Sequence, residues 1–280
     1  RPLDRPVAAD QRQPERSELR AAALLAAGLG VEHRLAEDAI YLLDQIPGVL
    51  VGHVHLPRPG RDRAEGGDLF EQFDLAGADS AVIAPPFMVA DLCNRDFLRR
   101  YFLEPMEASA LPVGIYVRPP LGKMELDLPL WDEVIAHPRV KFVKDSSGSV
   151  DCRDHFLKLK LRLPRLTLLT GHEFDVVAWA AEGYDGCLMG TGILNAGLIG
   201  RALDCLAAGD LAGANLWQER SNALLHDLFR KDISAWMSGL KYALRKLGAF
   251  ASEFSHLSFP LTDDDRRRID AALEREKDFL

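Results

Sequence analysis

From residue 48 onward the chain repeats one pattern: a short apolar run, then a longer stretch of helical period, then another apolar run. The runs are GVLVGHV at 48–54, SAVIAPP at 80–86, LPVGIYV at 111–117, VKFVK at 140–144, LTLLT at 166–170 and GCLMG at 186–190. Between them lie amphipathic stretches such as GDLFEQFDLAG, RDFLRRYFLEPMEA, LPLWDEVIAH and EFDVVAWAAEG, with Gly77 and Gly183 standing where C-terminal helix caps belong. Strand and helix alternating at roughly 20 to 30 residues per step is the signature of βα units around a parallel sheet. A doubly wound sheet would open on a Gly-rich GxGxxG turn, which is absent. An eight-stranded barrel needs about 250 residues and carries its chemistry at the C-terminal strand ends. The fold expected is therefore α/β, a (β/α)8 TIM barrel with a C-terminal helical extension.

The barrel is expected over residues 1–209 and a helical bundle over 210–280, built from three or four helices that include LIGRALDCLAAGDLAGANLWQERSNALLHDLF, DISAWMSGLKYALRKLG and TDDDRRRIDAALEREKDFL. The last opens on Thr262 and Asp265 in capping-box spacing. Two further βα units should precede residue 48, yet only two helical stretches, PERSELRAAALLAAGLG and LAEDAIYLLDQI, stand there. Either the first two strands are degenerate or the chain lacks residues near Gly30.

Charge narrows the partners. A net charge of −8 lacks the basic footprint that nucleic acid or an anionic membrane requires, so a small-molecule site is expected. Cys93, Cys152, Cys187 and Cys205 form no CxxC pair, which suits reduced thiols. With no long apolar run and no signal-peptide pattern, the expected location is the cytoplasm.

In VKFVK the side chains of Val140, Phe142 and Lys144 share one face, and Lys141 and Val143 share the other. Lys144 thus ends an apolar face, where desolvation lowers an amine toward the range in which a neutral nucleophile exists. Lys141 points toward the helical layer and solvent. One βα unit earlier, PVGIYVRPP puts Gly114 and Tyr116 on one face, so a phenol also ends a strand. A Tyr/Lys pair on adjacent strands suits carbonyl chemistry.

GIYVRPP, then VKFVKDSSG, then LLTGHEFD and GYDGCLMGTGILN, with GADSAVIAPPF before them, resemble the Schiff-base class I aldolase family of dihydrodipicolinate synthase and N-acetylneuraminate lyase. The resemblance covers about residues 48 to 250. It implies a homo-oligomeric barrel, dimer or tetramer, that needs no cofactor and binds pyruvate or a longer 2-oxo acid as an imine. On the matching positions Lys144 forms the Schiff base and Tyr116 relays protons. Gly186, Leu188 and Gly190 lie under the imine and offer backbone groups to the substrate.

Two departures shape the substrate expectation. The family's Gly-Thr-Thr-Gly-Glu-like carboxylate loop has no counterpart, and Phe87 stands where the synthase carries a hydroxyl-bearing side chain. The Pro-Pro-aromatic run and Arg118, two places after the tyrosine, look more like the branch that dehydrates deoxy-keto sugar acids. Arg118 is read as a clamp on a second carboxylate or polyhydroxyl tail. Ser146 and Ser147 are expected to cap the following helix, and His172 and Glu173 to start the one after.

Two rivals remain at this point. His53 and His55, pointing the same way from GHVHL, could join Lys144 and His172 in a metal-dependent amidohydrolase barrel. A catalytically inactive barrel that keeps a 2-oxo acid pocket is the other.

Overall fold

The structure is a computed structural model, and it describes residues 49–52, 78–85, 94–108, 110–118, 128–254 and 260–280. The expectations for the two helical stretches before residue 48, the region of Gly30, His53 and His55, the Gly77 cap, Phe87 and Cys93 lie outside the described residues.

All six apolar runs contain strands: β1 (Val49–Gly52), β2 (Ser80–Ile83), β3 (Val113–Val117), β4 (Val140–Asp145), β5 (Thr167–Thr170) and β6 (Gly186–Cys187). The helices are α1 (Arg95–Ala108), α2 (Leu128–Ala136), α3 (Val150–Arg162), α4 (Val176–Glu182), α5 (Gly192–Ala207), α6 (Leu211–Phe229), α7 (Trp236–Lys246) and α8 (Asp263–Glu276). The chain divides into two compact units, Arg1–Gly114 and Ile115–Leu280, with the boundary inside β3. Helices α5 to α8 thus fall in the same unit as β4 to β6, on both sides of the expected 209/210 division.

In the first unit β1 pairs parallel with β2 in the register Val49 to Ser80. Every residue of β2 is buried, as expected of a strand covered on both faces. Helix α1 buries Leu98, Tyr101, Phe102 and Met106, a stripe at helical spacing.

In the second unit β4 pairs parallel with β5, Lys144 opposite Leu169, and β5 pairs parallel with β6, Leu169 opposite Gly186. The helices between them start and stop where side-chain chemistry dictates. Helix α3 is capped by Ser149, whose hydroxyl accepts from the Cys152 N–H at 3.3 Å. It ends at Leu163, the residue ahead of Pro164, because a proline disfavours helical backbone before it. Its inner face is Cys152, Phe156 and Leu159. The cap falls on Ser149, which corrects the expectation for Ser146 and Ser147: the Ser147 hydroxyl instead accepts from the Ser149 N–H at 3.2 Å. Helix α4 closes on Gly183 at φ +117°, a left-handed conformation that only glycine adopts without strain. Its first residue is Val176, so His172 and Glu173 stand ahead of the helix in a turn rather than starting it.

The long run expected as one helical stretch breaks at Gly209, which takes φ +78°. Asp210 then caps α6 by accepting from the Gly213 N–H at 2.8 Å. Leu194 and Leu198 of α5, Leu224, Leu225, Leu228 and Phe229 of α6, Tyr242 and Leu244 of α7, and Ile269 and Leu273 of α8 form one buried core. The capping box at the start of α8 is present: the Thr262 hydroxyl accepts from the Asp265 N–H, and the Asp265 carboxylate accepts from the Thr262 N–H at 2.9 Å.

Candidate active site

Lys144 is 5 % exposed, whereas Lys141, three residues earlier on β4, is exposed and donates to the Pro138 carbonyl. The difference follows from strand alternation: one lysine faces inward with Val140, and the other outward. The Lys144 Nζ lies 4.3 Å from the centroid of the Tyr116 ring. Burial pushes the amine down to about 8, partly offset by the Glu173 carboxylate. A cation over a ring face is stabilised by about 0.5–2 kcal/mol, so here the loss of solvation outweighs both attractive neighbours.

Tyr116 is half-buried near the end of β3. Burial raises its phenol above the usual range; hydrogen bonding with the Ser146 hydroxyl and the charge of Arg118 pull it back, and Glu173 raises it. Arg118, one residue past β3, is half-buried. The Ser146 N–H donates to the Val117 carbonyl at 2.7 Å, which ties the turn after β4 to the end of β3.

Asp145 lies on the opposite face of β4 from Lys144 and is wholly buried. Its carboxylate accepts from the Tyr184 hydroxyl at 2.8 Å and from the Ser147 N–H at 2.9 Å. Burial raises the Asp145 carboxyl above its ordinary range and drives the Tyr184 phenol far above its own. Tyr184 in turn packs edge-on against Trp179, with ring centroids 5.0 Å apart. A wholly buried carboxylate needs such partners. Here they fasten the strand end that carries Lys144.

Glu173 follows β5. Its carboxylate accepts from the Gly190 N–H at 2.9 Å. The Glu173 and Phe174 carbonyls accept from the side chains of Gln218 and Asn222 on α6, at 3.1 and 3.0 Å. A helix of the C-terminal extension therefore holds the turn that presents Glu173. Leu188 is buried and its N–H donates to the Thr170 carbonyl at 2.7 Å. The amides of Leu188 and Gly190 are thus engaged within the protein, while Gly186 sits in β6 beside Leu169. Cys187, between them, has its thiol pushed up to about 11 by burial and, secondarily, by Glu173.

Gly171 carries the tightest steric demand at the site. A Cβ there would stand 2.0 Å from the Ser146 Oγ and 2.7 Å from the Lys144 Cε, so both side chains occupy space that only glycine leaves open. The Gly171 N–H donates to the Asp145 carbonyl at 2.7 Å, which pins that clearance to β4.

The sequence points to Lys144, Tyr116, Arg118, Gly186, Leu188 and Gly190 as site residues. The structure brings Lys144 onto Tyr116, with Arg118 and Glu173 acting on the phenol. It adds Glu173, Gly171, Asp145 and Tyr184. A carboxylate directly after a lysine on an apolar strand was the available signal for Asp145, since alternation must bury one of the two on the helical side. Among the described residues no group of three His, Cys, Asp or Glu side chains could hold a metal ion, and no helix is long and apolar enough to cross a membrane.

Residues 62–276 match the model of the dihydrodipicolinate synthetase family. The chain is 27% identical over 198 residues to a 4-hydroxy-tetrahydrodipicolinate synthase of Gluconacetobacter diazotrophicus, covering 70% of this chain and 64% of that protein. It is 26% identical over 217 residues to the same-named protein of Cereibacter sphaeroides, covering 75% and 70%. The match therefore spans about two thirds of the length of these relatives. Among solved structures, dihydrodipicolinate synthase from Oceanobacillus iheyensis superposes with a TM-score of 0.69 at 15% identity, covering 95% of this chain and 80% of the other. A prophage protein of the same family from E. coli K12, in complex with pyruvate, gives 0.67 at 20% identity, covering 94% and 82%. The fold class is thereby α/β, a (β/α)8 barrel with a C-terminal helical extension, and the chain belongs to the dihydrodipicolinate synthetase family.

Proposed function

We propose that this protein is a lyase that acts on a 2-oxo acid, pyruvate-type or deoxy-keto sugar acid, through a Schiff base on Lys144. The observation that carries the reading is a buried amine, lowered to about 8, held 4.3 Å from the ring of a strand-end tyrosine. At pH 7.5 a group with that value is neutral in roughly a quarter of molecules, against about one in a thousand for an ordinary lysine. The neutral amine attacks the C2 carbonyl, water leaves, and the resulting iminium draws electrons from the adjacent carbon. In aldol cleavage the C3–C4 bond breaks, its pair enters the enamine, and the C4 hydroxyl proton goes to a base. In dehydration a base takes the C3 proton to form the enamine; the C4–O bond then breaks as the enamine pair forms the C3=C4 bond, and that same proton is returned to the departing hydroxyl, which leaves as water. Both routes share a proton moved beside the imine, which is the role of Tyr116. The iminium keeps its positive charge next to the phenol and so favours the phenolate when a proton must be taken.

Arg118 binds a second carboxylate or the hydroxylated tail, for which a planar guanidinium fork is well shaped. Gly186, Leu188 and Gly190 line the substrate by shape and carbonyl groups, because the amides of the last two already donate elsewhere. The protein works as a cytoplasmic homo-oligomer, dimer or tetramer, a point that light scattering after gel filtration checks directly.

Support for the imine comes from the family and from its relative solved with pyruvate. Incubation with pyruvate followed by borohydride reduction should leave a covalent adduct on Lys144, read by peptide mass spectrometry. No adduct with pyruvate or with any of a panel of deoxy-keto sugar acids would end this reading; turnover across that panel separates cleavage from dehydration.

A further inference from the structure

Helix α4 begins without the cap its own sequence offers. Asp175 stands at its N-cap position and makes no side-chain capping bond, although the free amides in the first turn of a helix need acceptors. The acceptor comes from the C-terminal extension: the Gln218 Oε1 of α6 accepts from the Val177 N–H at 3.1 Å, 41 residues away in the chain. The Gln218 Nε2 donates to the Glu173 carbonyl at 3.1 Å and to the Asn222 Oδ1 at 2.8 Å. A primary amide has one acceptor oxygen and two N–H donors, so this buried side chain is fully engaged. One turn along α6, the Asn222 Nδ2 donates to the Phe174 carbonyl at 3.0 Å. One turn further, the His226 ring stacks on Phe174 with centroids 5.1 Å apart. Residues 218, 222 and 226 recur every four positions and so lie along one side of the helix.

The turn gripped in this way abuts the amine. Gly171 opens it against the Lys144 side chain: its N–H is bonded to the Asp145 carbonyl, and a Cβ there would meet the Lys144 Cε at 2.7 Å. Two residues on, the Glu173 carboxylate accepts from the Gly190 N–H after β6. Resting on the imine reading above, we propose that Gln218 is a positioning residue for Schiff-base formation: from the helical extension it fixes the turn of residues 171–177, and with it the Glu173 carboxylate, against the Lys144 side chain. In the step it serves, the Nζ–C2 bond forms and the C2–O bond breaks. One amine proton and one proton from solvent leave with the oxygen as water, and the positive charge stays on the iminium nitrogen. A carboxylate fixed beside that nitrogen favours the charged form.

Charge makes the positioning measurable. Of the titratable and charged groups at these strand ends, the Tyr116 ring lies 4.3 Å from the Lys144 Nζ, and Glu173 raises the amine against the effect of burial. Arg118 acts on the Tyr116 phenol, and Cys187 of β6 feels Glu173. Asp145 is buried on the opposite face of β4. A Glu173 carboxylate drawn away from the amine therefore lets its value fall further, whereas a helix that merely loosens its packing leaves the charge beside the amine in place.

The test follows the rate of adduct formation at saturating pyruvate, by borohydride trapping on Lys144, across pH. Gln218→Met keeps the bulk of the side chain and removes its bonds to Val177, Glu173 and Asn222. It is expected to lower the plateau rate about tenfold and to move the alkaline rise from about pH 8 to lower pH. Glu173→Gln, whose side-chain carbonyl still accepts from Gly190, should move the rise in the same direction. Adding Gln218→Met to it should move the rise no further, since no charge is left to displace. Asn222→Ala, which releases the Phe174 carbonyl, should give a smaller shift of the same sign, and it carries the test if circular dichroism shows Gln218→Met unfolded. An adduct that forms with its alkaline rise unmoved overturns this inference alone, whatever the plateau, because it describes a merely structural glutamine. An equal shift with and without the Glu173 charge also overturns it. Absence of any adduct in the unsubstituted protein overturns the imine reading itself, and this inference with it.

Discussion

The end of β4 and the start of α8 treat an ionisable side chain in opposite ways. At Lys144, burial removes more from the charged form than Glu173 and the Tyr116 ring restore, so the amine is driven toward neutrality. At Asp265, also buried, Arg230 donates at 2.6 Å, Arg268 donates at 2.6 Å, and the Thr262 hydroxyl and N–H complete the shell. Its carboxyl is held well below the usual range, chiefly by the Arg230 hydrogen bond. Glu276, wholly buried at the far end of the same helix, is likewise gripped by Arg220 and Arg275 at 2.8 Å each. The helical extension surrounds its buried carboxylates with matched donors, and the strand end withholds that match from its amine. A buried charge that is fully matched builds structure; one that is under-compensated stores reactivity.

The contrast breaks most visibly at the amine. Lys144→Ala should abolish the borohydride-trapped adduct and reduce turnover to background, read by mass spectrometry and by product assay. Tyr116→Phe should keep the adduct while slowing proton exchange at C3 by about 10²–10⁴-fold, the usual contribution of a positioned acid–base group. Next in size is Gly171→Ala. Its methyl group would press on the Ser146 Oγ and the Lys144 Cε, so imine formation should fall by about tenfold or more, with a stability cost of about 1–3 kcal/mol from overpacking.

Proton titration sharpens the same comparison. Because the Lys144 value is lowered to about 8, the rate of adduct formation at saturating 2-oxo acid should rise through about pH 8 and level off above it, rather than climbing to the ordinary lysine range; stopped-flow trapping reads this. Asp265 has the opposite sign. Its folded value lies below the unfolded 3.8, so its contribution is complete above that pH and is lost as the pH falls through the folded value. Asp265→Ala should cost about 1–3 kcal/mol at pH 7 by urea unfolding. That difference from the unsubstituted protein should shrink in acid.

Much of this was legible in the chain. Alternation along VKFVK separated Lys144 from Lys141 because a strand has period two wherever it lies. The apolar runs located all six described strands, and the Thr262–Asp265 spacing located its cap, because each depends on residues within one or two turns of one another. Where the structure departs from the sequence pattern, the reason is also local. Three serines follow Asp145, and sequence alone did not show that Ser149 rather than Ser146 or Ser147 would cap α3, since the helix start depends on Asp145 engaging the Ser147 amide.

What the sequence by itself determined, then, was the periodic scaffold, the two strand-end side chains and the caps, all consequences of short-range geometry. Only the tertiary structure decided that Glu173 would reach Gly190, that Tyr184 would bond Asp145 across thirty-nine residues, and that Gly171 would clear the space for Ser146 and Lys144. Those meetings depend on the register of parallel strands joined by whole helices. No pattern within a single βα unit encodes that register, because a crossover connection leaves the relative height of its two strands to be settled by packing.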